Sequence, residues 1–523
     1  VNDGVVPKAG NQGGIISQFE REKMAEYHLE LAPGAREKVF IQKFYLYLNM
    51  TKPSERLYVT FCRVNSDGKA LRRSYLIGTL LKLFPQLAVE EPSEEETLEG
   101  ALTAESALPF LMEGLTKPVE DEEAWTALLA WYLSDEGERE KVMQLFDAAF
   151  GAHKDDAISK AVTKALYGNT LENSVTRLEQ FAACAFAHYL SYGLRLKERE
   201  LQQFASVDMG NIYHDVLERF AKGIELSDYT WFDIPEKAQE ALLSQSMEDA
   251  IAGSGIGDVF EDARNSYLLK RMEATAKRTI WALMLQVRKG KFVPSGFEVS
   301  FSHAERLDAV QFQLGEDEKM RLRGRIDRVD TYETDDKVYV KIIDYKSGNT
   351  TFSLLNFYYG LQLQLVVYMN AALELTKKKY KGKDTEPAGI FYYHITDPMV
   401  DADGQESEEE IRRSILEQLK VGGLVNEDPE IYGAMDTDFS GTSTVIPVAL
   451  KADGSLKATS KTASTYEFGL MSHYVRKKIE HVGKEIFAGN VAVKPYLLGD
   501  RSGCDYCPYH TICGFDVRMP GFS

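Results

Sequence analysis

The chain has 523 residues, 44% hydrophobic and 27% charged, a composition ordinary for soluble globular protein of several domains of about 100–200 residues. Its net charge of −19 excludes indiscriminate polyanion binding over the whole surface, although a local basic groove on an acidic body stays open. No apolar run reaches the ~18 residues of a membrane span and no basic-then-apolar leader opens the chain, while five cysteines at this length are no disulfide framework.

Residues 1–88 form a first block. A Gly/Pro-rich start precedes a helical pattern from Ala35 to Met50 and a strand-like run, Leu57-Tyr58-Val59-Thr60-Phe61. The chain lacks an initiator methionine and is expected to be a fragment of a larger protein. Residues 89–168 read as an acidic loop followed by a helical connector without a catalytic signal. The third region, 169–523, shows helical periodicity to about residue 290. Strand-like alternation follows at Phe297–Phe301, Arg321–Asp330 and Lys337–Lys346. A helix is predicted from about Leu354 to Leu375, then a strand at Gly389–Tyr393. Residues 421–465 are loop-rich with an Asp453-Gly454 turn, and a last helix runs from about Tyr466 to Ala488.

The strands carry the chemistry. Asp344 and Lys346 are two apart on one strand, so they share a face. Asp344 follows the apolar pair Ile342-Ile343, where a carboxylate is costly unless paired. If Asp335-Asp336 is a two-residue hairpin loop, Thr334 faces Lys337 and Asp327 falls opposite Asp344. Like charges so placed, with Cβ atoms ~4.5–5.5 Å apart, repel, and a hard divalent cation turns that repulsion into coordination. The same register sets Arg325 opposite Lys346, which needs an anion, such as a phosphate, between them. Upstream, His214 lies on a helical stretch; downstream, Gln364 and Tyr368 share one helix face. Taken singly, each of these has a bland structural explanation.

The cysteines form a second constellation. Cys504-x₂-Cys507-x₅-Cys513 points to a metal centre in a reducing compartment. Cys184 is the candidate fourth ligand, whereas Cys62, on the strand-like run, reads as a buried small hydrophobe. Four thiolates hold either zinc or an iron–sulfur cluster, and spacing leaves the two open; His510 could also replace a cysteine in a zinc site.

Two basic runs stand out, Lys270 to Lys291 and Lys377 to Lys383. A solvated helix face explains either run. As a path for a polyanion, the better candidates are Lys277, Arg278 and Arg288, on the helix before the acidic strands.

Taken in order, His214, Asp327, Asp344-x-Lys346 and Gln364-x-x-x-Tyr368 resemble the PD-(D/E)XK nuclease domain of the RecB/AddB type. The resemblance implies a restriction-endonuclease-like α/β core, a mixed sheet flanked by helices. It implies that His214, Asp327 and Asp344 bind Mg²⁺ or Mn²⁺, that Lys346 is catalytic, and that Gln364 and Tyr368 line the site. It also implies a [4Fe–4S] cluster on Cys184, Cys504, Cys507 and Cys513, a structural staple across the domain. Cys184-Ala185-Phe186 departs from the family's frequent Cys-Pro-Phe, losing turn rigidity but no ligand.

Residues Asn2 to Pro7 and Tyr47 to Tyr58 are similar to late motifs of UvrD/RecB-type helicases, with Lys52 where the family has an ATP-contacting arginine. Lysine does not replace arginine in bidentate phosphate recognition. No Gly-x-x-x-x-Gly-Lys-Ser/Thr loop occurs, so this block is not expected to hydrolyse ATP alone. In chain order the whole resembles the C-terminal half of AddB-family helicase–nucleases. That implies a cytoplasmic exonuclease acting on single-stranded DNA, the 5′-terminated strand, in double-strand break repair, beside an AddA-like partner. Two other readings are a cluster-bearing DNA-binding scaffold without catalysis and a stand-alone single-strand exonuclease of the CRISPR-associated type.

Overall fold

The computed structural model describes residues 1–6, 16–29, 31–65, 69–90, 103–119, 121–150, 157–197, 199, 206–254, 263–301, 307–400 and 406–516. The chain divides into two compact units, Val1–Phe150 and Gly151–Ser523. The helices expected as a connector after residue 100 therefore belong with the first unit, and the second begins ahead of the expected boundary at 169. Most of the acidic run expected at 89–100 lies outside the described residues.

The first unit contains helices α1 (Gln18–Glu26), α2 (Ala35–Thr51), α3 (Tyr75–Leu83), α4 (Ala104–Thr116), α5 (Glu122–Ser134) and α6 (Glu136–Phe150). Helix α5 starts where the Asp121 side chain accepts the Ala124 amide and acidic residues fill the first turn, as an N-cap and the helix dipole favour. Helices α4 to α6 enclose a small core around Leu111, Tyr132 and Val142. The strand-like run Leu57–Phe61 is not in a sheet. It lines an open groove with Ile77, Leu80 and Leu81, and Cys62 is exposed rather than buried. A strand needs a neighbouring strand to take its amides and carbonyls in a ladder; this run has an isolated contact instead, the Val1 N-terminus donating to the Thr60 carbonyl.

The second unit opens with α7 (Lys160–Tyr167), β1 (Thr170–Asn173), α8 (Val175–Ala183), α9 (Ala185–His188), α10 (Ser206–Leu226), α11 (Glu236–Gly253) and α12 (Ala263–Arg288). The strands β2 (Val293–Phe301), β3 (Gln311–Gln313), β4 (Lys319–Leu322), β5 (Gly324–Glu333) and β6 (Lys337–Lys346) follow. Then come α13 (Leu354–Tyr359), α14 (Gln364–Lys379), β7 (Asp384–His394), α15 (Glu408–Gln418), β8 (Gly422–Asn426), α16 (Pro429–Met435), β9 (Thr462–Ala463) and α17 (Thr465–Phe487).

The central sheet is mixed, with strand order β2-β5-β6-β7-β8-β9. Strands β5 and β6 are antiparallel, and β6 and β7 are parallel. Helices cover both faces. Val340 and Ile342 pack with residues of α8, α14 and α17, whereas Tyr339, Ile343 and Tyr345 pack with α10, α11 and α12. This is the two-residue alternation of a strand buried on both sides. Because β6 and β7 are parallel, the chain must cross over the sheet between them, and that crossover lays α14 above the end of β6.

Two sequence expectations need correction. The single strand Arg321–Asp330 is two strands in different sheets: the Arg323 amide turns to the Asn173 carbonyl at 2.9 Å, and β4 pairs with β1 while β5 pairs with β2. The single helix Leu354–Leu375 is likewise two. Gly360 closes α13 at φ +87°, a left-handed cap that glycine adopts without strain, and α14 starts afresh at Gln364.

Candidate active site and cysteine cluster

The hairpin register is the one the Asp335-Asp336 loop predicts. The Thr334 amide donates to the Lys337 carbonyl at 2.8 Å, and the ladder runs from Glu333↔Val338 to Arg328↔Ile343. Beyond Arg328 the side chain of Asp327 takes over: its Oδ2 accepts the Tyr345 amide at 2.7 Å. Asp327 and Asp344 thus stand at the open end of the ladder, 9% and 2% exposed. Lys346 shares Asp344's face, as expected, with Nζ 2.6 Å from Asp344 Oδ2.

Helix α14 closes over this pair. Gln364 Nε2 donates to Asp344 Oδ1 at 2.9 Å and to the Tyr368 hydroxyl at 3.1 Å. Lys346 Nζ donates to Gln364 Oε1 at 3.2 Å. Tyr368 is edge-on to Phe301. From the other side α10 brings His214, whose Nδ1 lies 3.5 Å from Asp327 Oδ2. The structure therefore brings together all the residues singled out in the sequence for this site.

It adds Glu298, which the sequence reading missed. The pairs Phe297↔Arg328 and Val299↔Ile326 flank it, so it stands beside Asp327 on the neighbouring strand. Its Oε1 lies 3.6 Å from His214 Nδ1. Ligand atoms of His214, Glu298 and Asp327 all lie within 4.8 Å of one another. Glu298 Oε2 also pairs with Arg325 Nη1 at 3.2 Å, and the β5–β6 ladder ends at Arg328↔Ile343, short of the expected Arg325–Lys346 pairing. Glu298 holds φ +48°, a left-handed conformation that costs on the order of 1–3 kcal/mol for a non-glycine residue. Only the pairing of β2 with β5 reveals it; locally it is one polar position in an alternating strand.

Electrostatics fit a cation site. Burial pushes the Asp327 carboxyl up to about 7, with Asp344 adding to the rise and His214 opposing it. Burial also raises Asp344, against the pull of Lys346. For His214, burial alone would lower the imidazole, but Glu298 and Asp327 outweigh it and the net direction is upward. Carboxylates that resist ionising together are stabilised as anions by a hard cation. Carboxylate oxygens suit Mn²⁺ or Mg²⁺, and the imidazole nitrogen suits softer divalent ions such as Zn²⁺ or Fe²⁺.

Behind the site a buried charge cluster braces β5. Arg328 donates to both oxygens of Asp330 at 2.6 and 2.8 Å, and Lys341 Nζ lies 2.9 Å from Asp330 Oδ2. The Arg328 guanidinium stacks over Trp231 and Phe297. Despite burial, its two cations hold Asp330 below the usual carboxylate range.

Cys184, Cys504, Cys507 and Cys513 line one pocket, together with His510, Tyr509 and Phe186. None forms a disulfide. Burial pushes the Cys184 thiol up, and Cys507 and Cys504 add to the rise. Four thiolates so gathered suit either a tetrahedral zinc or an iron–sulfur cluster.

Lys277, Arg278 and Arg288 have protein partners. Lys277 Nζ is 2.5 Å from Glu240 Oε1, and Arg278 Nε is 3.4 Å from Asp397 Oδ1. Arg288 Nη2 donates to the Ile234 carbonyl at 2.9 Å. Lys377, Lys378 and Lys379 occupy the last turn of α14, where cations complement the helix dipole. Among the described residues no helix is long and apolar enough to cross a membrane.

Residues 172–514 match the family model of the PD-(D/E)XK nuclease superfamily. The chain is 38% identical to an ATP-dependent helicase/deoxyribonuclease subunit of Lachnoclostridium phytofermentans, over 100% of this chain and 45% of that protein. Identity is 32% to the protein of the same name from Thermoanaerobacter sp. strain X514, over 99% and 46% of the two chains. It is 33% to that of Alkaliphilus oremlandii, again over 99% and 46%. The chain thus spans slightly under half the length of these curated relatives.

Proposed function

The chain belongs to the PD-(D/E)XK nuclease superfamily, and on that premise we propose that it is the nuclease-bearing half of an AddB-type helicase–nuclease. In this reading it hydrolyses phosphodiester bonds of single-stranded DNA, the 5′-terminated strand, during double-strand break repair in the cytoplasm, beside an AddA-like partner. The observation that carries the reading is the grouping of His214, Glu298 and Asp327, with the Asp344–Lys346 pair at the same end of the β5–β6 ladder.

His214, Asp327 and Asp344, joined by Glu298, would hold Mg²⁺ or Mn²⁺. When bound, the ion neutralises charge on the scissile phosphate and favours ionisation of the attacking water. Lys346 presents its ammonium group where charge develops on the phosphate. Gln364 fixes both members of Asp344-x-Lys346 through its amide. Tyr368, whose hydroxyl burial keeps protonated, supports Gln364 one helical turn along α14.

The four cysteines would hold a [4Fe–4S] cluster. Its part is mechanical: it ties Cys184, ahead of the sheet, to the segment that follows α17, closing a long loop. The DNA path along Lys277, Arg278 and Arg288 is proposed with a stated cost, since each must exchange a protein partner for phosphate. Its test is whether the triple alanine variant flattens the salt dependence of binding by ~0.7 per lost contact.

The test of the nuclease reading is cleavage of end-labelled single-stranded DNA with Mg²⁺, with Mn²⁺ and with EDTA, for the chain alone and beside its AddA-like partner. Metal-dependent products are expected. DNA that is bound but uncut under every metal condition would establish the non-catalytic scaffold instead.

A further inference from the structure

Helix α8 stands between the two sites, and adjacent residues of it face each of them. Glu179 Oε1 accepts the amides of Leu363, at 2.7 Å, and Gln364, at 3.1 Å. It thereby caps the first turn of α14, whose own preceding residue Leu363 supplies no side-chain cap. Gln364 is the residue that holds Asp344 and Lys346. The next residue, Gln180, donates from Nε2 to Ser191 Oγ at 3.0 Å, and Ser191 bonds the Tyr509 hydroxyl at 3.0 Å. Tyr509 lies between Cys507 and Cys513.

The helix then ends in the cysteine cluster itself. Cys184 is its C-cap, with its amide on the Gln180 carbonyl. The Ala183 carbonyl accepts the Tyr496 amide at 2.9 Å, and a Cβ at Gly503 would stand 2.9 Å from that same carbonyl. The cysteine-bearing segment is therefore docked by backbone contacts onto the end of α8.

We propose that α8 is a strut through which the cysteine cluster sets the position of α14, with Glu179 as the positioning residue that hands the placement to Gln364. The inference rests on the nuclease reading for its purpose, but its geometry does not. Glu179 Oε1 accepts both amides of α14, and Glu179 is not among the grouped donors His214, Glu298 and Asp327. Burial pushes its carboxyl up to about 7, while the two amides and Lys346 pull against that rise. A neutral glutamine at this position keeps the accepting oxygen.

The experiment is amide hydrogen exchange on the full 523-residue chain, read without DNA or added divalent metal, so that loss of the nuclease reading would leave the outcome intact. Glu179→Ala is expected to speed exchange at residues 363–367 about tenfold, the loss of a helix cap, with β7 unchanged. Glu179→Gln should restore the wild-type rate. Cys184→Ser should speed exchange in the same turn, and the double variant Glu179→Ala/Cys184→Ser should be no faster than the single variants, since both break one connection. Unchanged exchange in Glu179→Ala overturns the proposal. So do additive effects in the double variant, or an equal rise in β7, which would mean that Glu179 only supports the fold at large.

Discussion

Glu298 stands beside Asp327 on the adjacent strand with its backbone at φ +48°, so a strained residue delivers a carboxylate to His214. Strain of this kind persists where the surrounding structure over-determines it, and it clusters at functional sites. Glu298→Gln should weaken Mn²⁺ binding about 10–100-fold, as for groups that hold or orient a metal, with little change in unfolding temperature. Titration calorimetry on the DNA-free protein measures this; unaltered affinity would reduce Glu298 to a partner of Arg325.

Asp344→Ala and Lys346→Ala should each lower cleavage by roughly 10³-fold, about 4 kcal/mol of transition-state stabilisation. Folding should be retained, because Asp344 is costly to bury and its loss leaves Lys346 part-exposed and solvated. Single-turnover cleavage of labelled DNA, beside a thermal melt, separates chemistry from stability.

The raised carboxyl of Asp327 makes metal-free stability depend on pH. A folded value of about 7 against 3.8 for the free side chain means that the stabilisation is complete below pH ~4 and is lost as pH rises through about 7. His214, also shifted upward, acts in the same direction at the upper end of that window. The metal-free protein should therefore lose on the order of a few kcal/mol between pH 5 and 8. Saturating Mg²⁺, which replaces the proton, should flatten the curve, and Asp327→Asn should remove most of it. Denaturant melts across that range provide the check; a flat metal-free curve would contradict the assignment.

Cys507→Ser should bleach visible absorption of anaerobically purified protein and lower its unfolding temperature, because a lost ligand disrupts a site coupled to folding. Cys62→Ser, at an exposed position in the other unit, should do neither. One zinc and no iron by elemental analysis would replace the cluster by a zinc site.

Asp330→Ala should destabilise the second unit by about 3–5 kcal/mol, since it strands the buried cations Arg328 and Lys341. Replacing Arg328, Asp330 and Lys341 together by apolar residues should cost less than Asp330→Ala alone. Chemical denaturation of the single and triple variants decides between the two outcomes.

Much of the site was legible in the sequence because it is local. A two-residue turn and the period of two in a strand suffice to bring Asp327 and Asp344 to one end of the ladder, and the same period puts Lys346 beside Asp344. Helical spacing likewise put Gln364 and Tyr368 on one face. The second layer was not legible. That β2 lies beside β5, bringing Glu298 to His214, is chosen by packing between strands with other elements between them in sequence. Gly360 looked like one residue within a long helix until its left-handed turn freed an N-terminus for Glu179 to cap. The ion pairs of Lys277 with Glu240 and of Arg278 with Asp397 join residues far apart in sequence and were not legible in it. Turns and periodicities specify a residue's orientation within its own element, and that much the sequence determined by itself. Which charges meet across elements depends on how separate hydrophobic faces pack into one core, and only the tertiary structure decided it.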